Sequence, residues 1–155
     1  MNLIEKDLIF KEDFVSLDQA FKCLSKKFLE RGLVKEGYLE ALMEREKNYP
    51  TGIDLTAVFQ GFPNIAIPHT ESKYCNATKV IVIKLERDIV SKDMMNPDKD
   101  LNVKYLFMIL NKDGGEQSNI LAKIMEFATN KENISMLAAS DSLDSIYDVV
   151  NKLNA

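Results

Sequence analysis

Two stretches of this chain, KVIVIKL from Lys79 to Leu85 and VKYLFMIL from Val103 to Leu110, are apolar at successive positions rather than alternate ones. Neighbouring side chains of a strand point to opposite faces. Strands of this composition therefore need cover above and below, as in a sheet held between helix layers.

The flanking sequence supplies those layers. Ser16 opens a helix, with Gln19 three residues on completing a capping box. Leu17, Ala20, Phe21, Leu24, Phe28 and Leu29 keep helical spacing until Gly32 stops the run. A second helix is expected over about 35–47, with Leu39, Leu42 and Met43 inward, ending before Pro50. From Glu116 onward the pattern is helical, over 118–128, 134–139 and 143–153, with Ser140 or Asp141 capping the last segment. Shorter extended pieces are expected at 7–10, 57–60 and 64–67, the last two flanking Gly61-Phe62-Pro63. A polar connection, SKDMMNPDKD, with a turn at Asn96-Pro97, joins the two long strands. The order lacks regular βαβ alternation, so a doubly wound parallel sheet is disfavoured. The expected fold is α+β, an α/β/α three-layer sandwich around a mixed sheet, as one domain over 1–155.

Composition narrows the function classes. A net charge of -4, with no basic cluster longer than Lys26-Lys27, speaks against nucleic acid as a partner. The longest apolar runs are too short to span a bilayer. The opening MNLIEKDLIFKED mixes charges through its apolar positions and does not read as a signal peptide. Cys23 and Cys75 have neither CxxC spacing nor histidine companions, so neither a disulfide framework nor a zinc site is expected. A cytoplasmic location with reduced thiols fits these features.

The chain has no P-loop and no G-x-G-x-x-G. It has a single histidine, His69, directly after Pro68 in GFPNIAIPHTE. No metal and no cofactor is expected from so sparse a ligand set. One reading of His69 is a loop histidine bonded to a backbone carbonyl. The other is a reacting group. Pro68 fixes φ at the end of the buried-type run Ile65-Ala66-Ile67, so the imidazole leaves a stiff strand end. Imidazole is also a competent nucleophile near neutral pH. The segment REKNYPTGI adds Arg45, Thr51 and Gly52. Taken singly, these are a cation at a helix C-terminus and two turn residues. Taken with His69, a guanidinium fork, a hydroxyl and a glycine are what a phosphoryl group on imidazole requires.

The pairing of RE-x-x-Y-PTGI over 45–53 with IAIPH over 65–69 resembles the IIA components of the phosphoenolpyruvate-dependent sugar phosphotransferase system. The fructose–mannitol branch is the relevant one, and PTGI and AIPHTE are most similar to galactitol-type members. The likeness extends over almost the whole chain, through VKYLFMIL and DGGEQSNILAKIM. It implies that His69 accepts a phosphoryl group from the carrier protein HPr and passes it to a cysteine of a IIB component, serving uptake through a IIC permease. It further implies that Arg45 stabilises the phosphoryl oxygens and that Thr51 and Gly52 lie at the phosphate. Mannitol- and fructose-type members carry a second histidine where this chain has Gln117, or Ser118 if the alignment is displaced by one. Galactitol-type members resemble this chain in lacking it, and glutamine can still donate an amide hydrogen. An exposed apolar rim from Phe59, Phe62, Tyr49 or Tyr74 is expected near the histidine, on a monomer. The rival reading is a regulatory IIA-like module whose phosphorylation state governs partner binding. Sugar choice would belong to IIC, which leaves the sugar itself open.

Overall fold

The computed structural model describes residues 2–56, 59–115 and 117–154, without the side chains of Gln117 and Ser118. Its spine is the antiparallel pair β4 (Lys79–Lys92) and β5 (Asp100–Leu110). With β1 (Ile9–Glu12), β2 (Gly52–Ile53) and β3 (Asn64–Ala66) they form one sheet in the order β1-β4-β5-β3-β2. β1 runs parallel to β4 and β3 parallel to β5, while β2 is antiparallel to β3. The sheet is mixed, as its irregular helix–strand order implied.

Successive residues of the spine divide between two cores. Val80, Val82, Tyr105, Phe107 and Ile109 pack with α3 (Gln117–Ala128), α4 (Lys131–Ala139) and α5 (Leu143–Val150). Ile81, Ile83, Leu85, Leu106, Met108 and Leu110 pack with α1 (Leu17–Glu30) and α2 (Tyr38–Asn48). Covering both faces in this way produces the three-layer sandwich.

Local chemistry moved several boundaries. The opening strand begins at Ile9 rather than Asp7, because Lys6–Leu8 turns as a 3-10 helix before Ile9 pairs with Val82. Ser16 caps α1 through the Gln19 amide, and the Gln19 side chain reaches back to the Val15 amide at 2.7 Å. α2 starts at Tyr38, because Gly37 takes a left-handed φ of 91° that closes the preceding loop. The polar connection is shorter than its composition suggested. β4 continues to Lys92 across a register shift, β5 begins at Asp100, and Lys99 closes on the Asn96 carbonyl at 2.9 Å. α4 begins at Lys131 under an Asn130 cap, ahead of the expected Ile134. Ser142, not Ser140 or Asp141, caps α5, completing a reciprocal capping box with Ser145. Of the expected extended piece at 57–60, residues 57 and 58 lie outside the described residues, and Phe59 and Gln60 form a bend and turn rather than a strand. Among the described residues no helix is long and apolar enough to cross a membrane.

Candidate functional site

Beyond β3 the chain runs through Ile67 and Pro68 to His69 along the edge of β5. The Ile109 amide donates to the Pro68 carbonyl at 3.1 Å, and His69 and Ile109 form a parallel bridge. Pro68 is buried and offers no donor of its own. His69 therefore leaves a strand end moored on its neighbour, not a free loop.

The imidazole is half-buried, and its Nδ1 lies 2.8 Å from the Ile67 carbonyl. A carbonyl oxygen only accepts, so Nδ1 carries the hydrogen and the neutral ring keeps its lone pair on Nε2. Among the described residues Nε2 has no hydrogen-bond partner. Burial lowers the histidine pKa below its usual value, the Ile67 contact works against that, and the Arg45 charge lowers it further. Burial and the Arg45 charge thus both favour the neutral ring over the imidazolium.

Arg45 lies in the last turn of α2, with its guanidinium 5.6 Å over the Tyr49 ring. It makes no ion pair among the described residues, and its Nε is buried without a hydrogen-bond partner. A buried N–H without an acceptor costs about 1–3 kcal/mol. A second buried donor without a partner, Asn111 Nδ2, sits two residues beyond the bridge partner of His69. The sequence pattern gave no reason to single out Asn111, a polar residue ending an apolar strand.

Thr51 and Gly52 are both engaged within the protein. Thr51 is 3% exposed, and its hydroxyl donates to the Glu46 carboxylate at 2.8 Å while accepting from the Ile67 amide at 3.1 Å. Its one proton is directed to Glu46 in this structure. Gly52 is buried in β2, where a Cβ would meet the Lys92 carbonyl oxygen at 2.5 Å. Its backbone approaches another strand, not an open cradle. Gln117 opens α3, but its side chain and that of Ser118 lie outside the described residues.

The apolar rim is smaller than expected. Tyr49 is 68% exposed beside Arg45. Phe62 packs against the core under α3–α5 and edge-on to Phe59, while Tyr74 packs against the core under α1 and α2.

Comparison with known proteins agrees with this architecture. The family model described as "Phosphoenolpyruvate-dependent sugar phosphotransferase system, EIIA 2" matches residues 2–153. A search of curated sequences finds no significant match. Among solved structures, the complex of mannitol enzyme IIA with phosphorylated enzyme IIB from Escherichia coli superposes at a TM-score of 0.75 and 16% identity, over 96% of this chain and 97% of that one. The crystal structure of mannitol IIA from Escherichia coli gives a TM-score of 0.73 at 16% identity, over 95% and 98%. Nitrogen regulatory protein IIA-Ntr from Neisseria meningitidis gives 0.68 at 18% identity, over 94% of each chain. At these identities the structures establish a shared fold.

Proposed function

The chain belongs to the EIIA 2 family of the phosphoenolpyruvate-dependent sugar phosphotransferase system, a phosphocarrier component, and on that premise we propose that His69 is its phosphoryl-accepting residue. The supporting observation is the state of the ring: Nδ1 is tied to a carbonyl, Nε2 has no hydrogen-bond partner among the described residues, and the charge of Arg45, which makes no ion pair among those residues, disfavours its protonation.

In the proposed reaction, Nε2 attacks the phosphorus of a phosphohistidine on HPr in line. The N–P bond to the donor breaks as the new one forms, and the donor histidine keeps the electron pair. Arg45 Nε and its terminal nitrogens take up charge on the equatorial oxygens. The group-transfer potential arrives on the donor, so the step is positioning and electrostatics. The second transfer delivers the group to a cysteine of a IIB component that feeds a IIC permease. The PTGI and AIPHTE segments support a galactitol-like branch.

The test is incubation with phosphoenolpyruvate, enzyme I and HPr, followed by intact-mass measurement. One acid-labile phosphate is expected on the native chain and none on His69→Gln, with both equally folded. A His69→Gln protein that is still labelled refutes the assignment. Offering the phosphorylated chain to galactitol-, mannitol- and fructose-type IIB proteins then tests the branch. A regulatory module would take the phosphate and pass it to none of them.

A further inference from the structure

Glu46 follows Arg45 on α2 and takes no part in the transfer just described. It is 8% exposed and makes no salt bridge among the described residues. Acidic side chains are rarely so buried unless their oxygens are engaged. Here both are engaged by one residue. The Thr51 amide donates to Oε2 at 2.8 Å, and the Thr51 hydroxyl donates to Oε1 at 2.8 Å and Oε2 at 3.1 Å.

That arrangement has a direction. A hydroxyl has one proton and two lone pairs. With its proton held by Glu46, Thr51 Oγ1 can only accept on its other side, and the Ile67 amide donates to it at 3.1 Å. Ile67 in turn offers its carbonyl to His69 Nδ1 at 2.8 Å. The peptide between Ile67 and Pro68 has no N–H, so no hydrogen bond from that peptide can anchor the carbonyl. It is moored from its two sides instead, by the Ile67 amide on Thr51 and by the Pro68 carbonyl on Ile109 at 3.1 Å.

We propose that Glu46 is a positioning residue for His69: by orienting the Thr51 hydroxyl it holds Ile67, whose carbonyl fixes the imidazole tautomer and leaves the lone pair on Nε2. This accounts for a buried carboxylate beside a site that would receive an anion. Its oxygens are spent on Thr51 rather than aimed at the phosphoryl group. Burial raises the Glu46 pKa, while the two Thr51 contacts and the Arg45 charge work against that rise. The Ile67 amide also reaches the Thr51 carbonyl at 3.2 Å. Loss of the hydroxyl therefore loosens the mooring without abolishing it, and the expected effect is about tenfold, below the hundredfold that about 1 Å of displacement can cost.

The experiment uses Glu46→Gln, which keeps the volume but turns one of the two oxygens that Thr51 faces into an N–H donor, with Thr51→Val and Thr51→Ser. Imidazole nitrogen chemical shifts of the unphosphorylated chain read the tautomer of the single histidine. Phosphorylation by HPr reads the rate, and only this arm rests on the phosphocarrier reading. Wild type and Thr51→Ser should show the Nδ1–H tautomer alone. Glu46→Gln and Thr51→Val should show mixed tautomers and a rate at saturating HPr about tenfold lower, with KM unchanged. If Thr51→Val fails to fold, Glu46→Gln against Thr51→Ser decides. A single tautomer in Glu46→Gln, mixed tautomers with an unaltered rate, or no rescue by serine each overturns the proposal. A native chain that HPr cannot phosphorylate would refute the carrier reading, and the tautomer comparison would still judge Glu46.

Discussion

Gly52→Ala separates two reasons for a glycine beside the site. If Gly52 lets backbone amides approach a phosphoryl group, alanine should slow transfer and leave unfolding unchanged. The structure gives it another duty. A Cβ at this position lies 2.5 Å from the Lys92 carbonyl oxygen and 3.2 Å from both the Lys92 carbonyl carbon and Leu101 Cδ1. Carbon–oxygen contacts settle at about 3.3 Å, so the two strands must part by about 0.8 Å, the difference from the 2.5 Å found here. Neither strand is free to yield. The Gly52 carbonyl accepts from the Met94 amide at 2.8 Å, and Gly52 is in register with Ala66 on its other side. Overpacking costs about 1–3 kcal/mol, and a clash between two backbones belongs at the upper end. For a chain of this size that corresponds to a fall in Tm of about 6–12 °C. Thr51 is the next residue, so displacement of β2 should also reach Ile67 and slow phosphorylation by about tenfold. The assay is thermal unfolding of Gly52→Ala without any phosphoryl donor, alongside the phosphorylation rate. A Tm within about 2 °C of wild type with slowed transfer would refute the packing argument and return Gly52 to the phosphate.

Three further outcomes follow from the same geometry. Arg45→Ala should lower the phosphorylation rate by about a hundredfold through loss of charge-assisted bonds in the transition state, with circular dichroism unchanged. A normal rate would reduce Arg45 to a helix-end cation stacked on Tyr49. Stability should fall on mild acidification: the unfolded chain takes a proton at His69 near about pH 6.5, whereas burial and Arg45 lower its pKa in the folded chain. This contribution is complete above the unfolded value and is lost as pH falls through the lowered folded one. Denaturant unfolding between about pH 7 and 5 should show a smaller loss for His69→Gln than for wild type, and equal losses would contradict the sign. Tyr105→Phe removes a buried donor that reaches the Leu137 carbonyl at 3.0 Å. That carbonyl keeps the Ser140 amide at 3.1 Å, so the cost should be about 1 kcal/mol by denaturant unfolding, and 3 kcal/mol or more would show a role beyond this bond.

The sandwich was legible in the spine because every position there reports on a face. Val80 and Ile81 need different cores, and no single-faced arrangement satisfies both. The arms of the same hairpin were not legible. Glu86, Arg87 and Asp88 are polar, yet β4 passes through them, because pairing of Ile89 with Val103 across a register shift carries the ladder on. Strand pairing is a property of two segments, and the composition of one cannot display it. The caps failed for a nearer reason. Ser140, Asp141 and Ser142 are all competent by type, Asp144 could reciprocate for Asp141 as Ser145 does for Ser142, and it is the Ser142–Ser145 box that the fold closes.

At the site, the two readings of His69 are compatible with one arrangement. A histidine bonded to a backbone carbonyl was the modest alternative to a reacting group, and the bond is present at 2.8 Å. An imidazole has two nitrogens, however, and fixing a hydrogen on Nδ1 is what leaves a lone pair on Nε2. On the proposed function, the tether prepares the nucleophile. Thr51 shows the converse: its type suited a phosphate donor, but whether a hydroxyl donates outward depends on what already holds its proton. Glu46, one residue past Arg45 and five before Thr51, is that holder. In REKNYPTGI a glutamate on the last turn of a helix looks like any solvated charge, and only its burial against the following turn reveals otherwise. Functional types at a site can be read from a sequence, whereas the direction of each hydrogen bond belongs to the folded contact that consumes it.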